Sequence, residues 1–362
     1  MALKTTAGHA GEPTKGRGAT SNIEGRFERW QRDVDHDGST PDDEPRLRMR
    51  TIVIRDHAKS ILSRNDSPDI SFEQSINPYQ GCEHGCVYCY ARPAHAYLGL
   101  SPGLDFETRI FAKHDAAPLL RKALAAPRYA CTPIAIGGNT DPYQPVERDL
   151  RITRAVIEVL SECEHPFTLI TKNALVERDI DVLAPLAQRN LTRAYVSVTS
   201  LDARLSAKLE PRASAPHRRL QTIKRLADAG IPVGVMVAPV IPFVTDRYLE
   251  EILALAREAG ATTAGYILLR LPHEVAPLFR DWLAEHAPLK AEHVMSLVQQ
   301  MRGGRDYDTR WRVRQTGTGP FAELISRRFR VAAAKLGFAT SRQPLDTSHF
   351  RAPRDGAQLA LF

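Results

Sequence analysis

The chain predicts an α/β fold, a partial (β/α)6 barrel of the TIM type, on two observations. Six short β-branched runs alternate with six amphipathic helical stretches, which is the rhythm of parallel βα units. Three cysteines then fall in one loop directly after the first run, at Cys82, Cys86 and Cys89, and α/β sheets carry their chemistry at the carboxyl ends of strands. An open doubly wound sheet would give a similar alternation; the position of the cysteine loop favours the barrel.

Taken in order, residues 1–48 are rich in Gly, Thr, Asp and Arg, with Ile23, Phe27, Trp30 and Val34 as the apolar anchors. They read as a disordered or loosely draped leader. Strands are expected over 69–76, 134–138, 167–171, 194–199, 233–240 and 264–269, and helices over 116–124, 153–161, 179–187, 217–229, 248–258 and 275–285. The core domain so defined runs from 65 to 289. From about residue 290 the rhythm stops, and 290–362 reads as an extension packing on the barrel. Within it, 321–336 is one amphipathic helix with Phe321, Leu324, Ile325, Phe329, Ala332 and Leu336 on a shared face, ended by Gly337.

Composition narrows the function classes. At 362 residues, 43% hydrophobic and 25% charged, the chain has an ordinary globular core. It has no run of eighteen apolar residues for a membrane span and no apolar N-terminal stretch for a signal peptide. Five cysteines, three of them clustered, suit a reducing compartment rather than a disulfide framework, so a cytoplasmic location is expected. Cys131 and Cys163 stand among apolar neighbours as small buried hydrophobes. The formal charge of +7 is carried by residues 301–362, which hold twelve Lys/Arg against five Asp/Glu. Arg302, Arg305, Arg310, Arg312, Arg314, Arg327, Arg328, Arg330 and Lys335, interleaved with Tyr307, Trp311 and Phe329, form a pattern that suits a nucleic acid and equally a solvated surface.

The cysteines are spaced C-x3-C-x2-C. Thiolates are soft ligands that select zinc, copper(I) or iron–sulfur clusters, and an odd trio leaves a four-ligand centre one position short. Gly81 and Gly85 allow the loop to curl tightly around one centre. A structural zinc knot is compatible with the spacing, but no second C-x-x-C or H-x3-H group stands at a usual zinc distance. His84, between two of the cysteines, reads as a solvent-facing loop residue.

The run Asn77-Pro78-Tyr79-Gln80-Gly81-Cys82-Glu83-His84-Gly85-Cys86-Val87-Tyr88-Cys89-Tyr90-Ala91-Arg92 resembles the signature of the radical S-adenosylmethionine (radical SAM) enzymes. With Thr140-Asp141-Pro142-Tyr143-Gln144-Pro145 and Glu147, it resembles the branch related to spore photoproduct lyase and the DNA repair photolyase-like proteins, over about residues 65–285. The resemblance implies a [4Fe-4S] cluster on Cys82, Cys86 and Cys89, S-adenosylmethionine on the open iron, a radical product, and a flavodoxin- or ferredoxin-like electron donor. It also implies cofactor contacts at the strand ends. Gly137, Gly138, Asn139, Thr140 and Asp141 stand where that family has a Gly-Gly-Glu-like segment, and the glutamate is absent. Lys172 at the third strand end meets a carboxylate, Ser197 and Thr199 face inward from the fourth, Arg212 stands as a carboxylate clamp, and Tyr88 lies beside the adenine. Val240 and Ile241 would wall the adenine. Spore photoproduct lyases return a hydrogen atom from a cysteine near the second strand end, whereas this chain has no thiol between Ala135 and Thr140. Tyr90, Tyr143 and Tyr266 are the alternative relays. An iron–sulfur electron-transfer protein and a zinc-dependent nucleic-acid-binding protein are the other two classes.

Overall fold

The computed structural model describes residues 16–27, 49–341 and 343–353. The chain passes through β1 (Ile52–Arg55) and β2 (Leu62–Arg64) into β3 (Gln74–Ile76), the first barrel strand. Next come β4 (Tyr79–Gln80), α1 (Leu104–Thr108) and β5 (Arg109–Ala112), and β5 pairs with β1 and β4 in a small separate sheet beside the cysteine loop. The βα units then run α2 (Ala116–Leu124), β6 (Ile134–Ile136), α3 (Glu147–Leu150), α4 (Ile152–Glu162), β7 (Phe167–Thr171), α5 (Ile180–Gln188) and β8 (Thr192–Ser197). They continue as α6 (Ala203–Leu209), α7 (Pro216–Asp228), β9 (Val233–Val240), α8 (Leu249–Glu258), β10 (Thr263–Leu268) and α9 (Val275–His286), followed by α10 (Ala291–Gln300) and α11 (Pro320–Lys335).

The wall has the order β10-β9-β8-β7-β6-β3-β2, with β3, β6, β7, β8, β9 and β10 parallel in sequence order and β2 antiparallel at one edge. This is the expected partial (β/α)6 barrel. Strand alternation sets its two faces: Ala194, Val196 and Val198 join the core under the helices, while Ser197 is buried outside that cluster. Two strands are shorter than expected, for local reasons. Over 65–73, Ser67 N donates to Asn65 Oδ1 (3.1 Å), Asp69 N to Ser67 Oγ (3.2 Å) and Asn65 Nδ2 to Phe72 O (3.0 Å), so short polar side chains outcompete the ladder. β6 stops at Gly137, whose φ of +87° turns the chain.

Of the 1–48 segment, residues 16–27 are described, and they pack closely. Gly18 N and Ala19 N donate to the Glu107 carboxylate at 3.0 and 2.9 Å, Ile23 packs against Leu104 and Leu278, and Phe27 lies 4.8 Å from the Tyr97 ring. Trp30 and Val34 lie outside the described residues. α11 packs on α8 and β10, with Phe329 against Tyr266 (4.8 Å) and Arg328 paired to Glu250 (2.7 Å). Its buried residues are Ala322 and Ile325, with Leu324 exposed. Phe321, Ile325, Phe329, Ala332 and Leu336 of the expected face join or pack on the main core cluster, and Leu324 alone of the six stays exposed. Among the described residues no helix is long and apolar enough to cross a membrane.

Candidate active site

The cysteine loop is held from three sides. From beneath, the fully buried Arg92 donates from Nε to Cys86 O (2.9 Å) and from Nη2 to Gly85 O (3.2 Å). Its Nη1 reaches Pro102 O and Gly103 O (3.0 and 2.9 Å), and its charge pairs with Glu107 at 2.5 Å. From the β6 side, Gln144 donates to Gly81 O (3.2 Å) and accepts from Glu83 N (2.9 Å), while Thr140 Oγ1 donates to Tyr79 O (2.8 Å) and Val146 N to Glu83 Oε2 (2.7 Å). From the α6 side, Val87 N donates to Leu209 O at 3.1 Å. The second sequence motif is therefore the cradle of the first.

Two glycines let the loop close. Gly85 has φ +65°, and a Cβ there would lie 2.6 Å from Glu107 Oε2; at Gly81, with φ +81°, it would lie 2.9 Å from Phe106 O. Neither position accommodates a side chain. The three cysteines share one neighbourhood: Cys89 packs against both the Cys82 and the Cys86 clusters of side chains. Burial pushes the Cys82 thiol far above the ordinary value, with Asp141 and the other two cysteines adding to it. Burial does the same at Cys86, opposed by Lys172 and Arg219. Buried thiols that repel one another as thiolates fit a soft-metal centre, which deprotonates its ligands outright.

Above the loop, the inner surface is polar and partly committed. Asp141 accepts from Thr171 Oγ1 (2.7 Å), Lys172 N (2.8 Å) and Tyr143 N (2.9 Å), and lies 3.3 Å from His84 Nδ1. Burial opposes its charge, but His84 and these donors hold its pKa at about 2. His84 is 1% exposed, which corrects the solvent-facing reading: Asp141 on one side and Asn173 (3.1 Å) on the other bury it. Beside Cys86 a second buried network forms, in which Glu210 accepts from Thr199 Oγ1 (2.8 Å), from Tyr88 OH and from Arg219. Lys172 lies among Glu210, Cys86 and Asp141; burial works against its charge, yet these neighbours keep its pKa above the ordinary lysine value. Its ammonium has no hydrogen-bond partner among the described residues. At the outer edge Tyr90 donates to Gly138 O under the Arg270 guanidinium, 4.3 Å from its ring.

Comparison with known proteins decides the family. A sequence model of the radical SAM superfamily matches residues 76–256. The chain belongs to the radical SAM superfamily. Its relatives in sequence include an uncharacterised protein of Mycobacterium tuberculosis, 36% identical over 233 residues, 64% of this chain and 68% of its own. Another, from Methanocaldococcus jannaschii, is 23% identical over 236 residues, 65% of this chain and 84% of its own. Among solved structures, spore photoproduct lyase complexed with dinucleoside spore photoproduct superposes with a TM-score of 0.56 at 18% identity, covering 79% of this chain and 80% of that one. A variant of that lyase with bound AdoMet and dinucleoside spore photoproduct gives 0.55 at 17% identity over the same shares. The radical SAM family assignment makes this protein an enzyme of radical chemistry, and the fold is that of the lyase.

Within this radical SAM core, the residues singled out from sequence fall into two groups. Gly137, Gly138, the exposed Asn139, Lys172 and Ser197 stand at the strand ends; the Asn139 side-chain amide, the Lys172 ammonium and the Ser197 hydroxyl make no hydrogen bond among the described residues, while Gly138 O accepts from Tyr90 and Ser197 O from Arg219. Thr140, Asp141, Thr199 and Tyr88 have their polar atoms already bonded within the protein. Arg212 pairs with Glu83 at 2.8 Å and donates to Thr51 Oγ1 (3.2 Å), so its guanidinium clamps a carboxylate of the cysteine loop itself. Val240 and Ile241 are fully buried in the wall. Tyr143 is buried and donates to Asp179 (3.0 Å), and Tyr266 faces α11; Tyr90 is the relay candidate at the mouth. Sequence reasoning missed Arg92, Glu107, Gln144, Glu210 and Arg219. Arg92 and Gln144 lay inside quoted motifs, whereas Glu107, Glu210 and Arg219 carry no spacing signal.

Proposed function

We propose that Cys82, Cys86 and Cys89 hold a [4Fe-4S] cluster and that S-adenosylmethionine occupies the iron they leave free. When reduced, such a cluster supplies the electron that splits the sulfonium of the bound cofactor, giving a 5′-deoxyadenosyl radical that removes a hydrogen atom from the substrate. The observation that carries this reading is the juxtaposition of three cysteines in one neighbourhood, Cys82 and Cys86 buried and Cys89 half-buried, with the Lys172 ammonium, which makes no hydrogen bond among the described residues. Lys172 receives the carboxylate of the cofactor, a charge-assisted contact. Gly137, Gly138 and Asn139 give it a close backbone approach, and Ser197 offers a hydroxyl. Thr140, Asp141, Tyr88, Thr199 and Arg212 act by holding the loop and its cradle in shape. Arg219 and Lys172 offset the negative charge gathered at the thiolates.

We assign the substrate to the nucleic acids. Support comes from the dinucleoside ligand of the structural neighbour and from Arg305, Trp311 and Arg312, exposed on the stretch that runs past the mouth. Thymine-dimer repair through a cysteine is not part of this proposal, since Ala135–Thr140 holds no thiol; Tyr90 takes the relay position. The basic tail is smaller than its sequence suggests. Arg302 is spent on the carbonyls of Leu269 and Val313 (both 2.8 Å), Arg314 on Asp69 and Arg328 on Glu250. A reducing electron donor and a cytoplasmic setting complete the reading.

Anaerobic reconstitution with iron and sulfide tests it. The expected result is a [4Fe-4S] spectrum that changes on adding S-adenosylmethionine, then 5′-deoxyadenosine after dithionite reduction, all abolished in Cys86→Ala. A colourless protein that holds one zinc overturns it. DNA or RNA is expected to speed 5′-deoxyadenosine release; equal rates with and without either remove the nucleic-acid assignment.

A further inference from the structure

On the outer side of the cysteine loop lies a groove of about 450 Å³ between α6, the turn after β9 and the end of α9. Its rim carries four exposed cations, Arg204, Lys208, Arg247 and Lys290, against one carboxylate among the lining residues, Asp202. Asp202 is already used, accepting from Arg204 N (2.8 Å) and Leu205 N (3.1 Å) as the N-cap of α6. The groove's apolar part is unusual for a surface. Leu289 is 100% exposed and Phe243 50% exposed, and Phe243 is held there at φ +58° with its ring edge-on to His293, 4.3 Å away. A bulky residue in the left-handed region is an outlier that the surrounding structure must enforce.

The floor of the groove connects inward. Trp282 and Val244 line it and belong to the same packed cluster of buried side chains as Cys86, Val87 and Leu209. Leu205 lines it too and packs on that cluster, and Trp282 Nε1 donates to Lys208 O at 3.0 Å. Helix α6 thus presents Arg204 and Lys208 outward, while Leu209 at its end accepts from Val87 N beside Cys86.

We propose that this groove is the docking surface for an acidic one-electron donor protein, from which the electron reaches the metal centre through the packed side chains behind Cys86. The proposal rests on the cluster assignment above. An apolar patch ringed by charge is the anatomy of a protein–protein contact, whereas a nucleic-acid interface is more polar throughout. A ring of like charge steers an oppositely charged partner and governs the on-rate more than the final affinity, which suits the small, short-lived contacts of redox partners. The balance is one electron leaving the donor and one arriving at the oxidised cluster, with no atom transferred.

The test uses the reconstituted full chain, a flavodoxin in its two-electron-reduced form as the acidic donor, and dithionite as the small reductant. The triple variant Lys208→Glu/Arg247→Glu/Lys290→Glu is compared with the unaltered protein by calorimetric affinity for flavodoxin and by the rate of cluster bleaching. The expected result is a flavodoxin rate lower by about tenfold or more at low salt, a rate in the unaltered protein that falls as salt rises, and an unchanged dithionite rate. Equal flavodoxin rates in the two proteins overturn the docking surface, and so does a loss confined to single-stranded DNA affinity. If the Glu variant also loses its dithionite rate, the charge-neutral Lys208→Gln/Arg247→Gln/Lys290→Gln protein decides by the same two rates. A protein with no reducible cluster fails at the first spectrum and takes the functional reading with it; normal bleaching with an unimpaired variant removes the docking surface alone.

Discussion

Arg92 and Glu107 form the pair on which the cysteine loop rests, both fully buried and each satisfied on several atoms. A buried ion pair adds little net stability, because desolvation of two charges offsets their attraction; what this pair fixes is the direction of the Gly85 and Cys86 carbonyls. Glu210 has the same character beside Cys86: burial opposes its charge, and Arg219 and Lys172 hold its pKa at about 2. None of these partners can be found by spacing, since Gly18 reaches Glu107 across 89 residues and Tyr88 reaches Glu210 across 122. The cysteines themselves were legible because all three sit within eight residues of chain. A pH dependence follows from two buried histidines, His95 and His165. Burial lowers the pKa of His165 to about 4, its ring held between Tyr129 OH (2.7 Å) and Pro166 O (2.9 Å), and lowers His95 to about 4 as well. Their folded values lie below the unfolded value of about 6.5, so the unfolded chain binds more protons between the two. The stability each contributes is complete above pH 6.5 and is lost as pH falls toward 4, about 2 kcal/mol apiece by pH 5. Urea titrations at pH 7.5 and 5 should show that fall, and His165→Gln should remove about half of it; an unchanged slope in the variant excludes His165 as a source.

At the level of elements, the predicted strands and helices overlap the observed ones throughout, and 167–171, 233–240 and 116–124 coincide with β7, β9 and α2. Periodicity succeeds there because those runs bury one continuous face. It misplaces the start of β3, where Asn65, Ser67 and Asp69 bond locally, and it puts Leu324 on the apolar face of α11, where the folded helix leaves that side chain exposed. The cysteine loop depends on backbone close approach. Gly85→Ala would place a Cβ 2.6 Å from Glu107 Oε2 at φ +65°, whereas Gly99→Ala has nearly the same φ, +68°, and nothing within 4 Å. We expect Gly99→Ala to cost about 1 kcal/mol and Gly85→Ala about 1–3 kcal/mol more. The second variant should also bind less iron per chain on reconstitution; equal iron content in both would show that the loop tolerates the added carbon.

Across the whole molecule, the sheet order leaves β10 and β2 as edges, and the stretch after α10 joins the two sides. Leu268 N donates to Gln315 O (2.9 Å) at the end of β10, and Arg314 pairs with the buried Asp69 (2.5 Å) before β3. Arg314 and Arg270 both lie near the Tyr90 hydroxyl, so this stretch borders the site mouth. Removing the bridge with Asp69→Ala should cost about 1–3 kcal/mol, the buried-pair penalty discounted because Arg314 is 22% exposed. Amide hydrogen exchange should quicken over 310–316 more than in the barrel strands, and uniform acceleration would mean that the pair supports the fold at large instead of the mouth.

By itself the amino-acid sequence determined the alternating βα order, the three cysteines and the radical SAM assignment, because each is written in contiguous residues. Folding alone decided which polar groups remain free for a ligand. Thr140, Asp141, Thr199 and Arg212 look available as a string of letters, yet their atoms are bonded to Tyr79, His84, Glu210 and Glu83, while the Lys172 ammonium makes no hydrogen bond among the described residues. A buried polar group must find a partner, and the chain names the groups long before it names the pairs.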